Sequence, residues 1–197
     1  MKLLNTLSDP LLPAVLKSGE VGVMPTDTVY GIVCDATQPA AVERLYQLKH
    51  REQKPGTLIA ASIAQFMQLG LDTDQLKTVA HLWPDALSVI IDAPASLAYL
   101  HVGKQSLVAR IPKDERLRAL LEKTGPLLTS SANMPGEPTA ANVAEAQAYF
   151  GEAVDFYVDG GTLTNRLPST IIRVLPDKTI ELVRDGAVKI NTKGERI

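Results

Sequence analysis

Residues 20–31 read Glu-Val-Gly-Val-Met-Pro-Thr-Asp-Thr-Val-Tyr-Gly. The first half is short, apolar and partly β-branched, which predicts a strand over Glu20–Met24 ending at Pro25. The second half packs Thr26, Asp27, Thr28 and Tyr30 into one turn. Polar groups at a strand end are where an open α/β sheet holds a ligand. A plain turn in which Asp27 bonds its own backbone would use the same residues. Downstream, Ala41, Val42, Leu45 and Leu48 fall at helical spacing, predicting a helix over Pro39–Leu48. Strand, polar turn and helix together point to an α/β domain.

The remaining chain extends this pattern. Strands are predicted at Thr57–Ala61, Leu87–Asp92, Ser106–Ile111, Leu127–Thr129, Phe156–Val158, Thr170–Val174 and Thr179–Val183. Helices are predicted at Pro10–Ser18, Ile63–Leu69, Asp74–Trp83, Asp114–Lys123 and Ala140–Phe150. The order is not a regular βαβ alternation, so the expected fold is α/β with a twisted, open, mixed sheet and helices on both sides. With 197 residues, no repeat and no long linker, the chain reads as one domain over 1–197. A polar tail from about residue 188 is expected to be loosely held. A chain this long buries roughly 70% of its unfolded surface, so a substantial core is available.

Composition narrows the function. Hydrophobic residues are 45% and charged residues 21%, which excludes a disordered or low-complexity chain. Twenty Lys and Arg against 22 Asp and Glu give a net charge of −2, unlike a general nucleic-acid binder. A single cysteine, Cys34, builds neither an internal disulfide nor a cysteine zinc site. The N-terminal apolar stretch is interrupted by Asn5, Asp9, Pro10 and Pro13, so no export signal is read there. No apolar run approaches the ~20 residues of a membrane span. The expectation is a soluble, cytoplasmic protein with no membrane partner. The Walker, dinucleotide, zincin and nucleophile-elbow motifs are all missing. His50, His81 and His101 are too scattered to suggest a metal cage.

Four further segments hold candidate chemistry. Lys49-His50-Arg51 closes a predicted helix, where cations suit the helix dipole or can converge on a polyanion. Thr129-Ser130-Ser131-Ala132-Asn133 ends a strand in hydroxyls and an amide, either as an ST-turn or as donors to an anion. Pro168-Ser169-Thr170 and Arg184-Asp185-Gly186 place polar groups beside late strands. Arg110 sits inside the apolar run Leu107–Ile111. A buried cation needs an anion, either an internal acid or a bound carboxylate or phosphate.

Taken in order, PTDTVYG, KHR, ARIP, SAN, PSTII and RDG, with Trp83-Pro84 before a strand, resemble the threonylcarbamoyl-AMP synthase family, the YrdC-type domain, in its short single-domain form. The resemblance covers about residues 8–187. It implies a concave ligand cavity on the sheet and a nucleotidyltransferase making threonylcarbamoyl-AMP and pyrophosphate from L-threonine, bicarbonate and ATP. That product serves tRNA modification at the adenosine beside the anticodon, by way of a downstream threonylcarbamoyl transferase. By the same carry-over, Lys49 and Arg51 are catalytic. Thr28, Arg110, Ser131 and Ser169 hold threonine, while Arg51, Lys54, Ser106, Asn133 and Arg184 hold ATP. Mg²⁺ rides on the ATP phosphates, with no protein metal site. The run Glu52-Gln53-Lys54-Pro55-Gly56-Thr57 departs from the family pattern, and Lys54 is read as a stand-in phosphate ligand. Ala60 and Ala61 stand where some relatives carry a histidine, and Thr139-Ala140-Ala141 departs near an ATP contact.

Three other readings compete. A hydrogenase-maturation carbamoyl-transfer domain shares the fold but carries cysteine pairs that this chain lacks. A non-catalytic tRNA- or double-stranded-RNA-binding module would use the same concavity through phosphate contacts. A paralogue with a different substrate would keep the motifs and alter the 52–57 stretch.

Overall fold

The computed structural model describes residues 1–50, 54–175, 177, 179–191 and 195–197. Its strands are β1 (Lys2–Leu4), β2 (Gly22–Pro25), β3 (Tyr30–Asp35), β4 (Thr57–Ile59), β5 (Leu87–Asp92), β6 (Ser106–Arg110), β7 (Leu127–Ser131), β8 (Phe156–Val158), β9 (Thr170–Val174) and β10 (Ile180–Arg184). Its helices are α1 (Leu12–Lys17), α2 (Pro39–Leu48), α3 (Ile63–Leu69), α4 (Thr73–Val79), α5 (Ala98–His101), α6 (Glu115–Thr124) and α7 (Val143–Phe150). The strands form one mixed sheet in the order β1-β8-β2-β3-β7-β4-β6-β5-β9-β10. No described helix is long and apolar enough to cross a membrane.

Local sequence explains most of these elements. Pro39 opens α2 at a first-turn position, where its missing N–H costs nothing. Asp114 caps α6 by accepting from the Arg116 and Leu117 amides. The expected helix over Asp74–Trp83 instead ends at Val79 and passes into a 3₁₀ turn over Ala80–Leu82. The sequence reading missed β1, β3 and α5. In β3 all six residues are buried. A strand covered on both faces shows no alternation, so its periodicity is silent. The PTDTVYG segment is therefore the connection of an antiparallel hairpin, with Gly22 opposite Val33 and Pro25 opposite Tyr30.

The two faces of the sheet are covered unequally. One face is sealed along its length by α2, α3, α4 and α7, through residues such as Leu45, Phe66, Leu76 and Phe150. On the other face, α1 and α6 cover only one end, packing Leu16, Leu117 and Leu121 on Met24, Val33 and Ile59. Cross-strand register continues that face over Thr129, Thr57 and Val108. No described helix seals this remainder, so the sheet presents a concave polar floor. The tail is more firmly held than expected. Thr170 exchanges hydrogen bonds with both backbone groups of Val188, and Arg196 pairs at 2.5 Å with the buried side chain of Asp85.

Candidate functional site

The concave floor holds a cavity of about 230 Å³. Six of the expected residues line it: Thr28, Lys54, Arg110, Ser131, Ser169 and Arg184. They come from six separate stretches of chain, and strand register brings them together.

Thr28 enters from the β2–β3 turn. Its Oγ1 lies 3.1 Å from the Thr26 hydroxyl, and the Thr28 amide donates to that same hydroxyl. Gly31 follows, and a Cβ there would collide with the Thr129 hydroxyl. Only glycine lets the hairpin lie this close to the floor. Tyr30 also lines the cavity, and its hydroxyl donates to the Gly161 carbonyl at 2.8 Å. Burial, opposed by a bond from the Gly160 amide, raises the Tyr30 phenol above its ordinary value and keeps it neutral.

Arg110, at the end of β6, is 3% exposed. Its Nη2 pairs with Asp27 Oδ1 at 3.0 Å. The internal acid considered for this cation thus exists, and it belongs to the PTDTVYG turn. The pairing is incomplete. Arg110 Nη1 reaches the Ser88 hydroxyl only at 3.4 Å. Arg110 Nε and the Ser130 hydroxyl are buried without a hydrogen-bond partner among the described residues. Both residues line the cavity. Unmet buried polar groups are costly in isolation, and a ligand in the cavity would meet them.

Ser169 and Arg184 form the adjoining wall. Arg184 Nη2 and Nε donate to the Ser169 carbonyl at 2.6 and 3.1 Å. The Ser169 hydroxyl lies 2.9 Å from that of Ser88. The register of β10 explains why Arg184 points here. Leu182 pairs with Ile172, yet Arg184 pairs with Ile171, so the strand bulges at Val183. Simple alternation would put Leu182 and Arg184 on one face; the bulge turns Arg184 to the cavity side. Gly186 then fits against the wall, where an added Cβ would sit 2.6 Å from the Ser169 carbonyl carbon and the Thr170 nitrogen.

The other expected residues lie elsewhere. Lys49 is 3% exposed, and its ammonium donates to the carbonyls of Ser131 and Asn133 and to Asn133 Oδ1. In this structure the Lys49 ammonium braces the SAN turn through these protein oxygens. Asn133 does not line the cavity. Its Oδ1 accepts from Ser131 Oγ at 2.7 Å, and its Nδ2 donates to the Glu137 carbonyl. Ser106 shares the floor's face with Val108 and Arg110 but lies at the far end of β6, outside the lining. Arg51 lies outside the described residues. Thr57, Thr129 and Ser130 also line the cavity. Sequence reasoning placed Thr129 and Ser130 in a candidate anion-binding turn without a specific ligand, and it gave Thr57 no role.

The site is therefore rich in hydroxyls and cations and has one deeply buried carboxylate, Asp27, already paired. It suits anionic ligands held by position and charge. Cys34 is not an alternative nucleophile, since it packs in the sealed face and burial pushes its thiol well above the ordinary range. Among the described residues no group of three acidic, histidine or cysteine side chains could hold a metal ion.

Comparison with known proteins agrees with this architecture. The Sua5/YciO/YrdC family, described as "Telomere recombination", matches residues 14–186. The chain is 35% identical to a threonylcarbamoyl-AMP synthase of Klebsiella pneumoniae over 180 residues, covering 88% of this chain and 93% of the relative. It is 33% identical to one from Pseudoalteromonas translucida over 163 residues, covering 79% and 87%. The fold superposes on P. abyssi Sua5 complexed with L-threonine, with a TM-score of 0.84 at 23% identity, over 95% of this chain but only 58% of that longer one. It also superposes on E. coli YciO, with a TM-score of 0.77 at 23% identity, over 94% of both chains. A match spanning most of the chain, with the same sheet beneath it, establishes that this protein belongs to the Sua5/YciO/YrdC family.

Proposed function

We propose that the protein is an L-threonylcarbamoyladenylate synthase. L-threonine, bicarbonate and ATP would give threonylcarbamoyl-AMP, pyrophosphate and water. The observation that supports this most is the buried Arg110, a cavity-lining residue whose Nε edge has no hydrogen-bond partner among the described residues. A planar carboxylate is the natural ligand for that edge. Thr28, Ser131 and Ser169 would meet the substrate hydroxyl and the carbamate. Lys54, Arg184 and Arg51 would hold the ATP phosphates. Ser106 and Asn133 are given no direct contact in this reading, and Lys49 supports the site through the SAN turn.

The chemistry asks little covalent work of the protein. The threonine amine takes up the carbon of bicarbonate with loss of water. A carbamate oxygen then bonds the α-phosphorus as the bond to pyrophosphate breaks. Alignment and charge stabilisation suffice for such a displacement. Mg²⁺ would arrive on the ATP phosphates and offset their charge. The product is a mixed anhydride, so a downstream threonylcarbamoyl transferase acting on tRNA would consume it. In this reading the protein acts in the cytoplasm, with tRNA modification as its role.

Equilibrium binding tests the reading. Calorimetric titration should show saturable binding of L-threonine and of ATP with Mg²⁺, and none of D-threonine. Absence of both ligands would refute it. A second reading, a paralogue with another substrate, is favoured by the match to E. coli YciO over nearly the whole of both chains. ATP binding without threonine binding would select it. RNA binding without either ligand would select a non-catalytic RNA-binding module.

A further inference from the structure

We infer that Asp27 is a positioning residue for the substrate carboxylate: it fixes the Arg110 guanidinium so that Nε faces the cavity. The inference rests on the threonine reading above and adds a residue to it.

The geometry differs from that of a pair built only for burial. A carboxylate that simply neutralises an arginine favours the bidentate fork, two oxygens on two parallel N–H groups. Asp27 does not do this. Oδ1 lies 3.0 Å from Arg110 Nη2. Oδ2 instead accepts the Lys113 backbone amide at 3.2 Å. One oxygen faces the guanidinium as an ion pair and one accepts from the loop after β6, and the buried Nε and Oδ1 both lack a hydrogen-bond partner among the described residues. Asp27 is itself held from a third side, since Arg166 Nη1 donates to its carbonyl at 3.1 Å. The Asp27 and Arg110 side chains are 2% and 4% exposed, so water does not compete for these contacts.

Two consequences follow. The guanidinium is confined, because it is buried between the Asp27 carboxylate and the Ser88 hydroxyl. The pair is also formally neutral, so an arriving carboxylate is held by directed hydrogen bonds rather than by net charge. Preorganised donors bind with less reorganisation than mobile ones. The sign of the mutational effect therefore separates positioning from competition. If Asp27 positions Arg110, removing its charge weakens carboxylate binding. If Asp27 merely competes for Arg110, removal strengthens it.

The experiment uses Asp27→Asn in the full chain. The expected result is a rise of tenfold or more in the Kd and KM for L-threonine, with the values for ATP changing less than about threefold. Equal losses for both substrates would mean general loosening of the hairpin and would overturn the inference, as would unchanged or tighter threonine binding. A second measurement does not need the variant to fold. In wild-type protein labelled with ¹⁵N-arginine, Arg110, assigned through Arg110→Lys, should show separately resolved Nη signals from slow rotation without ligand. Averaged signals would overturn the inference. If wild-type protein binds no L-threonine, the proposed function fails, while the Arg110 signals still decide whether the guanidinium is fixed.

Discussion

The ammonium of Lys49 lies 2.8 Å from the backbone carbonyl of Ser131. The lysine that opens one motif thereby supports the turn of another, 82 residues away. Replacing it with methionine would strand buried carbonyl oxygens at a cost of about 1–3 kcal/mol. Lys49→Met should lower the thermal midpoint and the activity together. Loss of activity at unchanged stability would show that the ammonium acts on substrate directly.

Gly186 packs against the wall that holds Ser169, where no side-chain atom fits. Gly186→Ala should push the Pro168–Thr170 backbone away and cost about 1–3 kcal/mol, the usual range for overpacking. Denaturant unfolding measures that loss. Binding of threonine should weaken as well, because Ser169 moves with the wall.

Arg110 pairs with Asp27, whereas Arg184 donates to the Ser169 carbonyl, and the Ser88 and Ser169 hydroxyls lie between them. Arg110→Ala should raise KM for threonine far more than KM for ATP. Arg184→Ala should do the reverse. Steady-state kinetics with each substrate varied in turn distinguishes the two, and identical profiles would contradict the assignment of separate subsites.

Asp155 ties the sheet to α2. Arg44 Nη1 sits 2.5 Å from its Oδ2, which also accepts the Val21 amide. Burial pushes the carboxyl upward, but the Arg44 bond and charge and the Val21 bond together hold it below the ordinary carboxylate value. A carboxyl lowered in the folded state stabilises above its unfolded value of about 3.9, and that stability disappears as pH falls through the folded value. Stability measured from pH 6 to 2 should fall below about pH 4. Asp155→Asn should make that fall shallower.

The sequence revealed the site better than it revealed the sheet. Arg110 stood out because a cation in an apolar strand demands an anion, and the structure supplies Asp27. Which acid answers could not be read from the chain, since the two lie 83 positions apart and meet only through β-register. β3 was invisible because burial on both faces erases alternation. The orientation of Arg184 depends on a one-residue bulge at Val183, and no residue in Ile180–Arg184 announces it. The contacts of Lys49 with the Ser131 and Asn133 carbonyls could not be read from the chain, because a lysine reads the same whether its ammonium meets phosphate or backbone carbonyls.

The central claim is tested most directly by turnover. Purified protein with Mg²⁺, ATP, bicarbonate and labelled L-threonine should form threonylcarbamoyl-AMP and pyrophosphate in equal amounts. Product should vanish when any one substrate is omitted and fall at least tenfold in Arg51→Ala, the residue proposed to hold the ATP phosphates. Pyrophosphate released without threonine, or no product from a protein that binds both ATP and threonine, would contradict the account.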